Sequence, residues 1–130
     1  MKKVVLLARL VLGAIFVIFS LNYIWNFIPL PELPEAAGLF MMALGASGYI
    51  FPVTKLVEFV SGVLLLTGKG VPLALTLLTP IVVNIFLFHL RLAPEGLPMG
   101  SLLLILNLFL AWAYRGAFRG VLKLRASPTS

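Results

Sequence analysis

Apolar residues dominate four long stretches of this chain, and polar residues gather in the gaps between them. The stretches run from about Val4 to Ile28, Gly48 to Thr67, Val71 to Leu90 and Leu97 to Phe118. Each is close to the roughly 20 residues that an α-helix needs to cross the ~30 Å of hydrocarbon in a bilayer. Backbone groups in lipid meet no water, so a crossing segment must satisfy its own N–H and C=O groups, which a helix does. The pattern therefore predicts an all-α fold, an integral membrane four-helix bundle. The first stretch follows an "MKK" start, as a signal peptide would. It is too long for one, holds Arg9 inside it and lacks a small-residue cleavage pattern, so it is expected to remain as a helix.

The gaps have their own grammar. In "PLPELP", Pro29, Pro31 and Pro34 remove donors and push their neighbours toward extended backbone, which ends the first helix. Pro34 and Glu35 then suit the first turn of a new helix. Residues from Pro34 to Ala46 are apolar but too few to span, so a short interfacial or re-entrant helix is expected over the outer mouth of the bundle, between the first two spanning helices. Gly68 and Gly70 in "TGKGV" make a tight turn, and Pro72 opens the third helix. "RLAPEGLP" is polar enough to leave the membrane, and the tail from Lys123 to Ser130 is expected to be disordered. All 130 residues form one transmembrane domain.

Helical spacing sorts the polar side chains onto stripes. Arg9, Gly13, Phe16, Ser20 and Tyr23 share a face of the first helix, and Lys55, Glu58, Gly62 and Leu65 a face of the second. Thr76, Pro80, Asn84, Leu87 and Arg91 fall together on the third, and Gly100, Leu103, Asn107 and Tyr114 on the fourth. Polar groups avoid lipid, so the stripes are expected to face one another across a polar seam. Gly13, Gly62 and Gly100 are the positions for close helix packing. At ~1.5 Å per residue, Glu58 lies roughly 10 Å in from the outer end and Arg9 roughly 9 Å in from the inner end. Their heads are expected to meet, with Lys55 as the competing partner. Alternatively Glu58 keeps its proton and bonds Asn84 or Tyr23. The candidate seam or ligand site is thus Arg9, Tyr23, Lys55, Glu58, Asn84, His89 and Asn107. His89 reads first as a satisfied residue of the outer interface. Asn22 and Asn26 are expected to cap or bond the outer segment, and Pro80 to kink its helix.

Composition narrows the chemistry. The chain is 62% hydrophobic with a mean hydropathy of +1.14, more apolar surface than a soluble domain of this size can hide. There is no cysteine and a single histidine, so thiol redox chemistry and multi-histidine metal sites are not expected of this chain. The net charge of +6 reflects Lys2, Lys3, Lys69, Arg115, Arg119, Lys123 and Arg125, which fall at one set of helix ends. Positive charge so placed marks the cytoplasmic side and attracts anionic lipid. Both termini are therefore expected in the cytoplasm, and nucleic acid is not expected as a partner.

The segments "LARLVLGAIFVIFSLNYIWNF", "GYIFPVTKLVEFVSGVLLLTGKGVPLAL", "LLTPIVVNIFLFHL" and "AWAYRGAF" together resemble the DoxX family of small four-helix membrane proteins. The resemblance spans about Val4 to Leu122 and rests on order and spacing, chiefly Arg9, "VEFVSGVLLLTG" and "PIVVNIFLFH". Where many members have a Gly and a Lys late in the first helix, this chain has Ser20 and Tyr23, which marks a divergent branch. The resemblance implies a protein of the bacterial inner membrane. Some relatives are subunits of quinone-reducing sulfur oxidation enzymes, and others associate with redox-stress proteins. Arg9, Glu58, Gly62, Asn84 and His89 sit at the family's polar positions. The leading expectation is a non-catalytic accessory or anchor subunit of a redox or envelope complex. Behind it stand a quinone- or lipid-binding redox subunit, with electrons supplied from elsewhere, and a small-solute or proton-linked transporter working as a homo-oligomer. Beyond the lipid bilayer, the partner expected is a protein of a redox complex. Quinone is the one cofactor considered.

Overall fold

A computed structural model describes residues 1–29 and 32–129. Five α-helices follow in order: α1 Lys2–Trp25, α2 Glu35–Ala46, α3 Ile50–Thr67, α4 Val71–Arg91 and α5 Leu97–Ala113. There is no strand among the described residues. α1, α3, α4 and the stretch from Pro94 to Ala113 that contains α5 are long and apolar enough to cross a membrane, and α2 is the shorter apolar helix.

Around the bundle α1 packs on α3, α3 on α4, α4 on α5 and α5 back on α1. Leu12, Phe16, Leu65, Leu75, Leu78 and Leu110 fill the middle. The outer surface is as apolar as the core. Leu7, Val53, Leu56, Leu73, Ile105 and Leu108 all stand more than half exposed. A continuous apolar surface on this scale belongs against hydrocarbon, because soluble monomers rarely expose large apolar patches. The chain is a helical membrane protein.

The helix ends explain where prediction and structure differ. α1 stops at Trp25 rather than near Ile28 because Asn26 turns left-handed, with φ 49° and ψ 44°. Asn22 then clasps Ile28 from both sides: the Ile28 N–H donates to Asn22 Oδ1 at 2.7 Å, and Asn22 Nδ2 donates to the Ile28 carbonyl at 3.2 Å. α3 starts at Ile50, whose N–H donates to Ser47 Oγ at 3.2 Å. It ends where Gly68 takes φ 77°, a conformation only glycine adopts without strain. α5 ends at Ala113, and the last turn of the predicted helix is a 3-10 turn over Arg115–Phe118. Residues 123–129 form neither helix nor strand and are exposed. Ser130 of the predicted tail and Pro31 of the proline run lie outside the described residues.

α2 lies at the end of the bundle away from the two termini. Its Ala37 is fully buried, and its Phe40 ring lies 5.8 Å from that of Phe88 near the end of α4.

Candidate functional site

Glu58 is on the buried face of α3 and is 3% exposed, with Ser61, Gly62 and Leu65 buried on the same face. Its partner is Lys55, three residues earlier on the same helix, with Nζ 3.1 Å from Oε2. The contact is an ion pair within one helix. The lysine side chain keeps 28% of its surface exposed, so its stem reaches outward while its head stays by the carboxylate.

The expected meeting of Arg9 with Glu58 does not occur. Arg9 packs instead against Gly68: a Cβ at position 68 would fall 2.5 Å from Arg9 Nη1. The reason is register. α1 and α3 run antiparallel, with Gly13 beside Gly62 and the Tyr23 ring 6.1 Å from that of Phe51. Arg9 therefore lies level with the C-terminal end of α3, and Glu58 lies about two turns further along. That end carries the negative pole of the helix dipole, a favourable place for a cation.

Asn84 is corrected as well. The whole predicted stripe of Thr76, Pro80, Asn84, Leu87 and Arg91 is exposed. α4 buries Val71, Ala74, Leu75, Leu78 and Val82 instead. The apolar face outcompeted the polar one for the core. Tyr23 is 45% exposed and packs on Phe51, so it too stays outside the seam.

His89 fastens the turn between α4 and α5. Its Nδ1 lies 3.2 Å from the Ala93 carbonyl, and its ring occupies the space that a side chain at Gly96 would need. It also abuts Gly100, where a Cβ would fall 3.2 Å from His89 Cδ2.

Asn107 is the polar residue of the stripes that links two helices. It is 1% exposed, and its Nδ2 donates to Thr79 Oγ1 at 3.0 Å. Thr79 in turn donates to the Leu75 carbonyl at 2.6 Å. Thr79 was absent from the sequence reading, as was Ser61. The signal for Thr79 was its place directly before Pro80, where the α4 backbone loses a donor.

Glu58 lines neither of two clefts on the surface of the described residues. One, of about 480 Å³, lies between α1 and α5 at the end that holds both termini and is lined by Lys2, Arg9, Trp112, Tyr114 and Arg115 among others. The other, of about 540 Å³, runs along α4 and α5 beside Thr76, Thr79 and Pro80. Among the described residues no group of three or more His, Cys, Asp or Glu side chains is placed to hold a metal ion. No family model, characterised protein or solved structure matches the chain significantly.

Proposed function

We propose that this chain is a DoxX-like accessory or anchor subunit of a redox or envelope complex in a bacterial inner membrane, with no catalysis of its own. The observation that carries the reading is the outward Asn84. It lies three residues past the middle of α4, exposed, at a depth where a bare amide is costly. Polar side chains at such depth serve as contacts between helices. Among the described residues Asn84 has no hydrogen-bonding partner, so a helix of another protein is the natural cover. The quinone-binding alternative rests on the polar seam, the pairing of Arg9 with Glu58, and His89; with Glu58 paired to Lys55, Arg9 against Gly68 and His89 in the α4–α5 turn, it has less support. Lys2, Lys3, Lys69 and Arg115 share the end that holds both termini, which supports cytoplasmic termini by the positive-inside rule.

The test is photocrosslinking in native membranes from position 84, with position 105 as the apolar, lipid-facing comparison. The reading expects one protein adduct of defined mass from 84 and none from 105. Lipid adducts alone from both positions would sink it.

A further inference from the structure

Among the described residues, the end of the bundle that holds both termini carries basic side chains and no acidic one. Lys2, Lys3, Lys69, Arg115, Arg119 and Lys123 lie there. All four carboxylates lie away from it: Glu32, Glu35 and Glu95 at or beyond the outer helix ends, and Glu58 toward the outer half of α3. The cleft of about 480 Å³ concentrates this imbalance, since Lys2, Arg9 and Arg115 line it and no acidic residue does. Arg9 is drawn about two turns up α1, and its Nε is buried with no hydrogen-bond partner among the described residues.

The walls of the cleft are amphipathic. Trp112 and Tyr114 stand beside the cations. Arg115 is held over the Trp112 ring at 4.6 Å and also donates to the Trp112 carbonyl at 2.9 Å. Trp112 and Arg115 line the second cleft too, which continues along α4 and α5 past Thr79 and Pro80 with a mainly apolar lining. A cationic pocket thus adjoins an apolar groove, at the end of a membrane helix, with one arginine and one tryptophan common to both.

We infer that this pair of clefts is a binding site for one anionic phospholipid. The phosphate sits among Lys2, Arg9 and Arg115, and an acyl chain passes Trp112 into the groove beside Pro80. Charge complementarity selects the anion, guanidinium groups bond phosphate oxygens in a fork, and the groove selects a lipid over a free ion. The groove reaches Pro80, one turn short of Asn84 on the same face of α4, and the lipid reading does not rest on the partner reading.

The experiment is native mass spectrometry of the full chain released from vesicles of equimolar phosphatidylcholine and phosphatidylglycerol. The wild type should retain one phosphatidylglycerol in preference to phosphatidylcholine. Lys2→Gln and Arg115→Gln remove exposed side chains without disturbing the core, and each should weaken retention about fivefold, the equivalent of about 1 kcal/mol per interfacial cation. Lys3→Gln, at the same end but outside the cleft, should retain phosphatidylglycerol as the wild type does. Equal retention of both lipids overturns the proposal. So does an equal loss in Lys3→Gln, which would mean diffuse attraction to the whole basic end. Displacement of the lipid by inorganic phosphate would reassign the pocket to a free anion and likewise overturn it.

Discussion

The bundle has two kinds of joint. α1 and α3 meet backbone to backbone. A Cβ built at Gly13 would lie 2.9 Å from the Gly62 carbonyl oxygen, and one at Gly62 would lie 2.9 Å from the Gly13 oxygen and 2.7 Å from a Val17 methyl. α4 and α5 meet through side chains, with Asn107 bonded to Thr79 and His89 seated on Gly96 and Gly100. In lipid there is little hydrophobic gain from pressing two greasy helices together, so close packing and polar bonds hold them. The first joint depends on the absence of atoms, and the second on the presence of particular ones. The first should therefore fail steeply when anything is added, and the second should weaken gradually when something is taken away.

The largest effect is expected at the glycine joint. Gly62→Val should cost about 3 kcal/mol, since the new atoms meet the Gly13 carbonyl oxygen and a Val17 methyl that cannot both retreat. Unfolding of the reconstituted protein by denaturing detergent would measure it, and a loss below about 1 kcal/mol would mean that the helices part easily. Next comes the ion pair on the same helix. Lys55→Met leaves a buried carboxylate alone and should cost about 2 kcal/mol, a loss limited by uptake of a proton. Glu58→Gln should cost less, because Lys55 is partly exposed and can carry its head outward. Reversal of that order would show that the lysine, not the glutamate, is the trapped partner.

The hydrogen-bonded joint ranks lower. Asn107→Leu should cost about 1 kcal/mol, within the range measured for bonds between membrane helices. A double-mutant cycle with Thr79→Val should return most of that as coupling. Absence of coupling would make Asn107 a packing residue only. The smallest effect is expected from Asn84→Leu, which touches neither joint. Stability of the isolated chain should stay within about 0.5 kcal/mol, and a larger loss would place Asn84 inside the fold.

The sequence reading found the helices because twenty apolar residues in a row have few physical alternatives. It found the short helix between the first two spanning helices because Pro34 and Glu35 announce a helix start. It failed where rotation about a helix axis had to be chosen. On α4 the polar stripe and the face made of Ala74, Leu75, Leu78 and Val82 have the same periodicity, and both satisfy a helical pattern. The assumption that polar residues turn inward sent Asn84 the wrong way and left Thr79 unnoticed. It failed again where two helices had to be slid past each other. Arg9 and Glu58 looked close in depth, but the contact of Gly13 with Gly62 sets α1 about two turns away from that pairing.

By itself, then, the sequence determined the all-helical class, the four spanning segments, the short helix between the first two and the charge asymmetry of the two ends. Those follow from local composition and from the cost of an unsatisfied backbone in lipid. Only the tertiary structure decided which face of α4 is buried, which cation meets Glu58, and that Lys2, Arg9 and Arg115, from opposite ends of the chain, surround one cleft. Periodicity fixes a stripe relative to its own helix axis. Rotation and register between helices are settled by packing, where glycine contacts of a few ångströms outweigh the preferences of any single polar side chain.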